Sequence, residues 1–317
     1  MIWTIFLILV VLLLALDLGV LNRNAHVIST REAAKWTTLW VSLALSFTAF
    51  VYFGYEQHWL GLGETVGHNL SGGEAAMLYL TGYLIEQSLS IDNIFVIAVI
   101  FAYFKVPPQY QHRVLFWGIL GAVVFRGIMI VAGAFLIERF AWIMYIFGAF
   151  LIYSAWKMAT ADDEEIEPDK NPVTRLVRKF YPVIPRFDGE KFFIRRMGIT
   201  AATPLFIALI VIETTDVMFA LDSIPAIFAI TTDTFIVFTS NIFAILGLRS
   251  MYFFLANMLE KFRYLKYSVF AILIFVGIKL ITHHFIVLPE WFSLTFVIAS
   301  LALGVAVSIM KNPKKKL

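Results

Sequence analysis

Polar and apolar residues in this chain do not alternate finely; they come in long blocks. Apolar blocks cover approximately residues 2–21, 34–54, 75–103, 112–137, 140–158, 199–228, 233–257, 264–282 and 290–309. A bilayer core about 30 Å thick is crossed by roughly 20 apolar residues in an α-helix. The blocks therefore predict an all-α polytopic membrane protein with about nine transmembrane helices, a single transmembrane domain over 1–317. A transmembrane barrel is excluded, because its strands would read as short alternating segments. The third and sixth blocks are long enough to tilt, break or project beyond the bilayer. The first block follows Met1 directly, with no basic leader and no small-residue cleavage signal, and is expected to be a retained helix.

Composition agrees with lipid as the main solvent. Sixty per cent of the residues are apolar, 15% are charged, and the mean hydropathy is +0.83. The chain has no cysteine, which excludes disulfides, iron–sulfur clusters and thiolate metal sites. Basic residues sort by loop: 21 of the 25 lie in the first, third, fifth and seventh connections and the C-terminal tail. Cytoplasmic loops collect Lys and Arg, so the N-terminus is expected outside and the C-terminus in the cytoplasm. The longest polar stretch, the cytoplasmic linker 160–198, opens with Asp162, Asp163, Glu164, Glu165 and Glu167, then turns basic and aromatic. It reads as a solvated linker with one amphipathic helix on the membrane surface; the alternative reading is a cytosolic metal sensor in the acidic run.

Two segments repeat. Glu86-Gln-Ser-Leu-Ser-Ile-Asp92-Asn93-Ile94 and Asp216-Val-Met-Phe-Ala-Leu-Asp222-Ser223-Ile224 share an acid, five residues, Asp, a small polar residue and Ile. Further on, at a constant offset of 122, Glu138 matches Glu260, Tyr145 matches Tyr267 and Lys157 matches Lys279. The first repeat is 75–158 and the second 199–282, three helices each. An odd number inverts the second copy, as in many secondary transporters whose sites lie between the copies.

Charged residues inside the blocks carry the candidate chemistry. Glu86, Asp92, Glu213, Asp216 and Asp222 lie well within them, and Asp17 near the end of the first. Each acid at a helix centre costs about 2.5–3.5 kcal/mol to insert, so these must meet partners or water. The intramembrane bases are Arg126, Arg249 and Lys279. Arg126 and Arg249 are expected to balance charge, and a bound divalent cation with one or two protons would close the remaining gap. Glu213 and Asp216, three apart, share a helix face. Pro225 is expected to break its helix, swinging Asp222 inward and freeing the carbonyl of Leu221. Asn93 and Asn241 are candidate neutral ligands. Carboxylate, amide and carbonyl oxygens suit magnesium, calcium or manganese rather than copper or zinc. The six histidines sit at or beyond block ends. No catalytic or phosphate-loop motif is present, so neither an enzyme, nor a tightly bound organic cofactor, nor a nucleic-acid partner is expected.

Thr81–Asn93, Glu213–Ala226 and Ser240–Tyr252 resemble the signatures of the TerC family, and the likeness extends over almost the whole chain. Gln87 and Ser90, where related sequences often have Lys and Ala, depart mildly and leave the acids intact. The resemblance implies a bacterial inner-membrane protein that exports manganese, with Mn2+ as transported substrate. It also points to the acids of the third and sixth blocks as the metal site. The expected function is a secondary exporter working by alternating access, alone or in exchange for protons. The competing expectation is an interaction hub that hands manganese to proteins at the outer face without net transport. Expected partners are membrane lipid, a divalent metal ion and, for the hub, other membrane proteins.

Overall fold

The computed structural model describes residues 1–19, 28–140, 142–160, 179, 182–184, 186–196, 199–255, 264–282, 285 and 288–311. The architecture is all-α with one small hairpin. The elements in chain order are α1 (Ile2–Gly19), α2 (Thr30–Glu56), α3 (Gly72–Tyr103), α4 (Pro108–Arg139), α5 (Ile143–Thr160), β1 (Phe193–Arg196), β2 (Ile199–Ala202), α6 (Pro204–Phe228), α7 (Thr234–Leu246), α8 (Leu248–Leu255), α9 (Leu265–Thr282) and α10 (Glu290–Met310). Among the described residues, five helices are long and apolar enough to cross a membrane: α2, α3, α4, α6 and α10. The bent pair α7–α8 makes a sixth if counted as one span, and α1 and α5 carry shorter apolar stretches.

Local sequence explains the boundaries. Ser71 and Glu74 form a reciprocal capping box at the start of α3, satisfying two otherwise orphaned N–H groups. Pro108 and Pro204 open α4 and α6, where a missing N–H costs nothing. The sixth block differs from expectation: residues 199–202 pair antiparallel with 193–196 as a β-hairpin, and the helix starts only at Pro204. The seventh block is also not one straight helix, since the chain bends by 42° between α7 and α8, around Gly247. Pro225 does not break α6, which continues to Phe228. Proline at 225 cannot donate to the Leu221 carbonyl a turn earlier, and the helix keeps its path with that one bond missing. The acidic run 162–167 lies outside the described residues.

Packing places α3 at the centre, touching α2, α6, α7 and α10. The first helix of each predicted repeat lies against the second of the other: α3 packs on α7 and α4 on α6. The third helices, α5 and α9, cross closely. A Cβ on Gly148 would come within 2.9 Å of the Gly277 carbonyl oxygen, and one on Gly277 within 3.0 Å of that of Gly148. Only glycine allows the backbones so near, the device by which membrane helices gain contact without a hydrophobic driving force. Large apolar side chains face outward, among them Ile8 and Leu12 on α1, Val131 and Phe135 on α4, and Leu303 on α10. So much exposed apolar surface marks contact with lipid.

The connection between α2 and α3 is tied down at one carboxylate. Asp233 is completely buried at the N-cap of α7. Its Oδ1 accepts from the N–H groups of Phe235 and Ile236 at 3.0 and 3.1 Å. Its Oδ2 accepts from the Tyr55 hydroxyl at 2.8 Å and the His68 N–H at 2.7 Å. Gly67, with φ of +78°, lets the loop approach, since a Cβ there would lie 2.3 Å from Oδ2.

Candidate functional site

Midway along the helices that pack around α3, a single base gathers the polar groups. Arg126 of α4 is among the largest fully buried side chains. Its guanidinium donates from Nη1 to Glu86 Oε1 of α3, and from Nη2 and Nε to Asp216 Oδ1 and Oδ2 of α6, at 3.0 and 3.3 Å. The same Nη1 lies 3.3 Å from Asn241 Oδ1 of α7 and 3.4 Å from Ser223 Oγ of α6. Asn241 in turn donates from Nδ2 to Glu86 Oε2 at 3.0 Å. Four helices thus meet in one network of buried ion pairs.

Glu86 and Asp216 are the first acids of the two repeated motifs, so matching positions converge on one cation. The remaining predicted residues divide. Asn93 is two helical turns beyond Glu86 and buried, and its Oδ1 has no hydrogen-bond partner among the described residues. With Asp216 it lines a cavity between α3, α4, α6 and α8 whose walls are otherwise mostly apolar, Ile97, Leu115 and Phe219 among them. Glu213 sits one turn before Asp216, and Gly121 of α4 makes room for its carboxylate, where a Cβ would lie 2.1 Å away. Its Oε2 is likewise buried without a partner among the described residues.

Asp222 stands apart. It faces α5, accepting from the Ser154 hydroxyl at 2.6 Å, with the charge of Lys157 acting on it. With α6 unbroken at Pro225, nothing swings Asp222 toward the Arg126 network. Arg249 also belongs elsewhere: it pairs with Asp17 of α1 through a buried ion pair. Asp92 lies on α3, and its side chain is outside the described residues. Among the described residues, no three acidic or histidine side chains stand together as a metal centre. The guanidinium occupies the middle of the oxygen cluster instead.

The profile of the "Integral membrane protein TerC family" matches residues 71–316. The chain belongs to the TerC family. Among its TerC-family relatives is an "Uncharacterized membrane protein STKORF319" of Myxococcus xanthus, 48% identical over 310 residues, covering 98% of this chain and 92% of that one. The "Putative membrane-bound redox modulator Alx" of Escherichia coli K12 is 45% identical over 313 residues, covering 98% and 95%. An "Uncharacterized membrane protein" of Rickettsia bellii is 42% identical over 310 residues, covering 98% and 97%. No solved structure matches the chain.

Two contributors in this TerC chain escaped the reading of its sequence. Ser223 had a signal, because it fills the small-polar position that Asn93 fills in the first motif. Ser154 had none: a serine in an apolar helix reads as ordinary until the facing acid is known.

Proposed function

We propose that this protein is a secondary transporter exporting divalent metal cations, Mn2+ above all, across the bacterial inner membrane by alternating access. The observation that carries this reading is the convergence of Glu86 and Asp216, matching acids of two repeated motifs, on one buried positive charge. Two carboxylates, Glu86 and Asp216, face the one arginine, and a third, Glu213, sits one turn before Asp216 against Gly121, so the region carries more acid than base. All the groups offered are oxygens: carboxylates, the Asn241 and Asn93 amides and the Ser223 hydroxyl. Such a set suits hard cations of the magnesium, calcium and manganese class.

Inverted three-helix repeats and nine spans belong to this reading. In their favour, the main helix contacts map onto one another when the halves are exchanged: α3 on α7 corresponds to α4 on α6, and α5 meets α9. A site at the interface of inverted halves is the usual arrangement for alternating access. In this reading the N-terminus faces outward and the C-terminus the cytoplasm, and Glu213 carries the exchanged proton. Some relatives are named for redox modulation. With no cysteine in this chain, thiol–disulfide chemistry has no residue to run on, and in this reading a redox effect would come through metal supply.

The deciding experiment is flux in liposomes containing only this protein, run with manganese, calcium, magnesium and zinc. Manganese should move without any partner protein. Absence of manganese flux would refute export and favour a hub that passes metal on without net transport.

A further inference from the structure

The oxygens that a hard divalent cation would need are already engaged. Glu86 Oε1, both carboxylate oxygens of Asp216, Asn241 Oδ1 and Ser223 Oγ all point at the guanidinium of Arg126. Hard cations take about six to eight such oxygens at roughly 2.0–2.6 Å, so cation and guanidinium cannot share them. We infer that Arg126 is a tethered competitor for the transport site: its guanidinium fills the site when substrate is absent, and only an ion able to displace it is carried. The inference rests on the export reading.

Three physical consequences hold it together. An empty carrier must change conformation with Glu86 and Asp216 inside the membrane, where unpaired acids are costly. The tethered guanidinium neutralises that pair without needing an ion that could diffuse away. Selectivity follows from charge. A monovalent ion brings no more charge than the arginine, forms fewer directed bonds, and must shed its own water. A divalent ion doubles the attraction to the same two carboxylates. The displaced side chain also has a landing place. Side chains on a helix lean toward its N-terminus, which from Arg126 is the direction of Gly121. Against Gly121 lies the Glu213 carboxylate, with Oε2 buried and unpartnered among the described residues.

The test uses the full-length protein in nanodiscs. Manganese binding is read from the loss of the free Mn2+ electron paramagnetic resonance signal, in sodium or choline chloride at equal ionic strength. If the guanidinium holds the oxygens nine-tenths of the time, Arg126→Gln should bind manganese about tenfold more tightly. Sodium should then weaken its binding, while the wild type and Arg126→Lys remain indifferent to sodium. Unchanged or weaker manganese affinity in Arg126→Gln, with the wild type still binding and transporting, would overturn the tethered competitor and leave export standing. A wild type that neither binds nor transports manganese would overturn both. Should Arg126→Gln fail to fold, the wild type answers alone. With arginine carbon-13-labelled at the guanidino carbon, saturating manganese should shift the guanidinium infrared bands, and no shift at saturation would overturn the inference.

Discussion

Replacing Glu86 by Gln keeps the shape of the side chain and should still damage the protein, for a reason visible in its two partners. One oxygen of Glu86 accepts from Arg126 and the other from the Asn241 amide nitrogen at 3.0 Å. The carboxylate is completely buried, so neither bond can be handed to water. A glutamine offers one oxygen and one NH2. If the oxygen faces Arg126, the NH2 meets the NH2 of Asn241; if it is turned over, the NH2 meets the guanidinium. Asn241 cannot resolve the conflict by flipping, because its Oδ1 also faces Arg126 Nη1, at 3.3 Å. One buried donor is therefore left unpaired, at about 1–3 kcal/mol, and an ion-paired hydrogen bond becomes one from the guanidinium to a neutral amide oxygen, at about a further 1 kcal/mol. Asp216 still balances the arginine, so the full penalty of a broken buried ion pair is not reached.

The expected loss is about 2–4 kcal/mol in a detergent-mixture unfolding titration followed by tryptophan fluorescence. The same geometry predicts a rescue. Adding Asn241→Asp to Glu86→Gln gives the new amide an acceptor, returns the lost charge, and keeps an oxygen on Arg126. The double variant should regain most of the loss, with a coupling of about 1–3 kcal/mol between the sites. Manganese tolerance of a sensitised strain should recover in parallel. A double variant less stable than Glu86→Gln alone would show that the partners assigned to Glu86 are wrong.

Three further outcomes are expected. Asp216→Asn should abolish manganese export, whereas Asp222→Asn, which loses a bond to Ser154 outside the Arg126 network, should retain measurable export; equal loss at comparable abundance would place Asp222 within the site. Asp233→Ala removes an N-cap and leaves the Tyr55 hydroxyl and His68 N–H without their acceptor, so thermal unfolding should report a loss of about 2–4 kcal/mol, with Tyr55→Phe milder. Because the chain lacks cysteine, Glu64→Cys and Asp188→Cys report orientation cleanly: an impermeant thiol reagent applied to intact cells should label the first, and labelling of the second would invert the proposed topology.

Legibility in the sequence followed the range of the interaction. Helices and caps are local, and the long apolar blocks, the Ser71–Glu74 box and the opening prolines could be read directly. Glu86 and Asp216 stood out because carboxylates are expensive in lipid and because their spacing recurs. What stayed hidden was who pairs with whom. Arg126 and Arg249 follow similar Leu-Gly segments, but one is held by the core acids and the other by Asp17. That difference is made by α1 docking near α8, which no local pattern announces. The strand at 199–202 was absorbed into an apolar block because four residues are too few to show a period. Pro225 misled because a helix can lose one hydrogen bond without ending.

The arginine network also argues about purpose. A buried ion pair adds little stability over well-packed apolar residues of the same volume, since the cost of desolvating both charges offsets most of their attraction. If stability were all that Glu86, Asp216 and Arg126 supplied, leucine and methionine would serve as well at the contact of α3, α4 and α6. The surroundings point the same way. Glu213 and Asn93 each keep a buried oxygen without a partner among the described residues. In the export reading proposed above, these oxygens and the carboxylates of Glu86 and Asp216 are what a doubly charged ion would draw on.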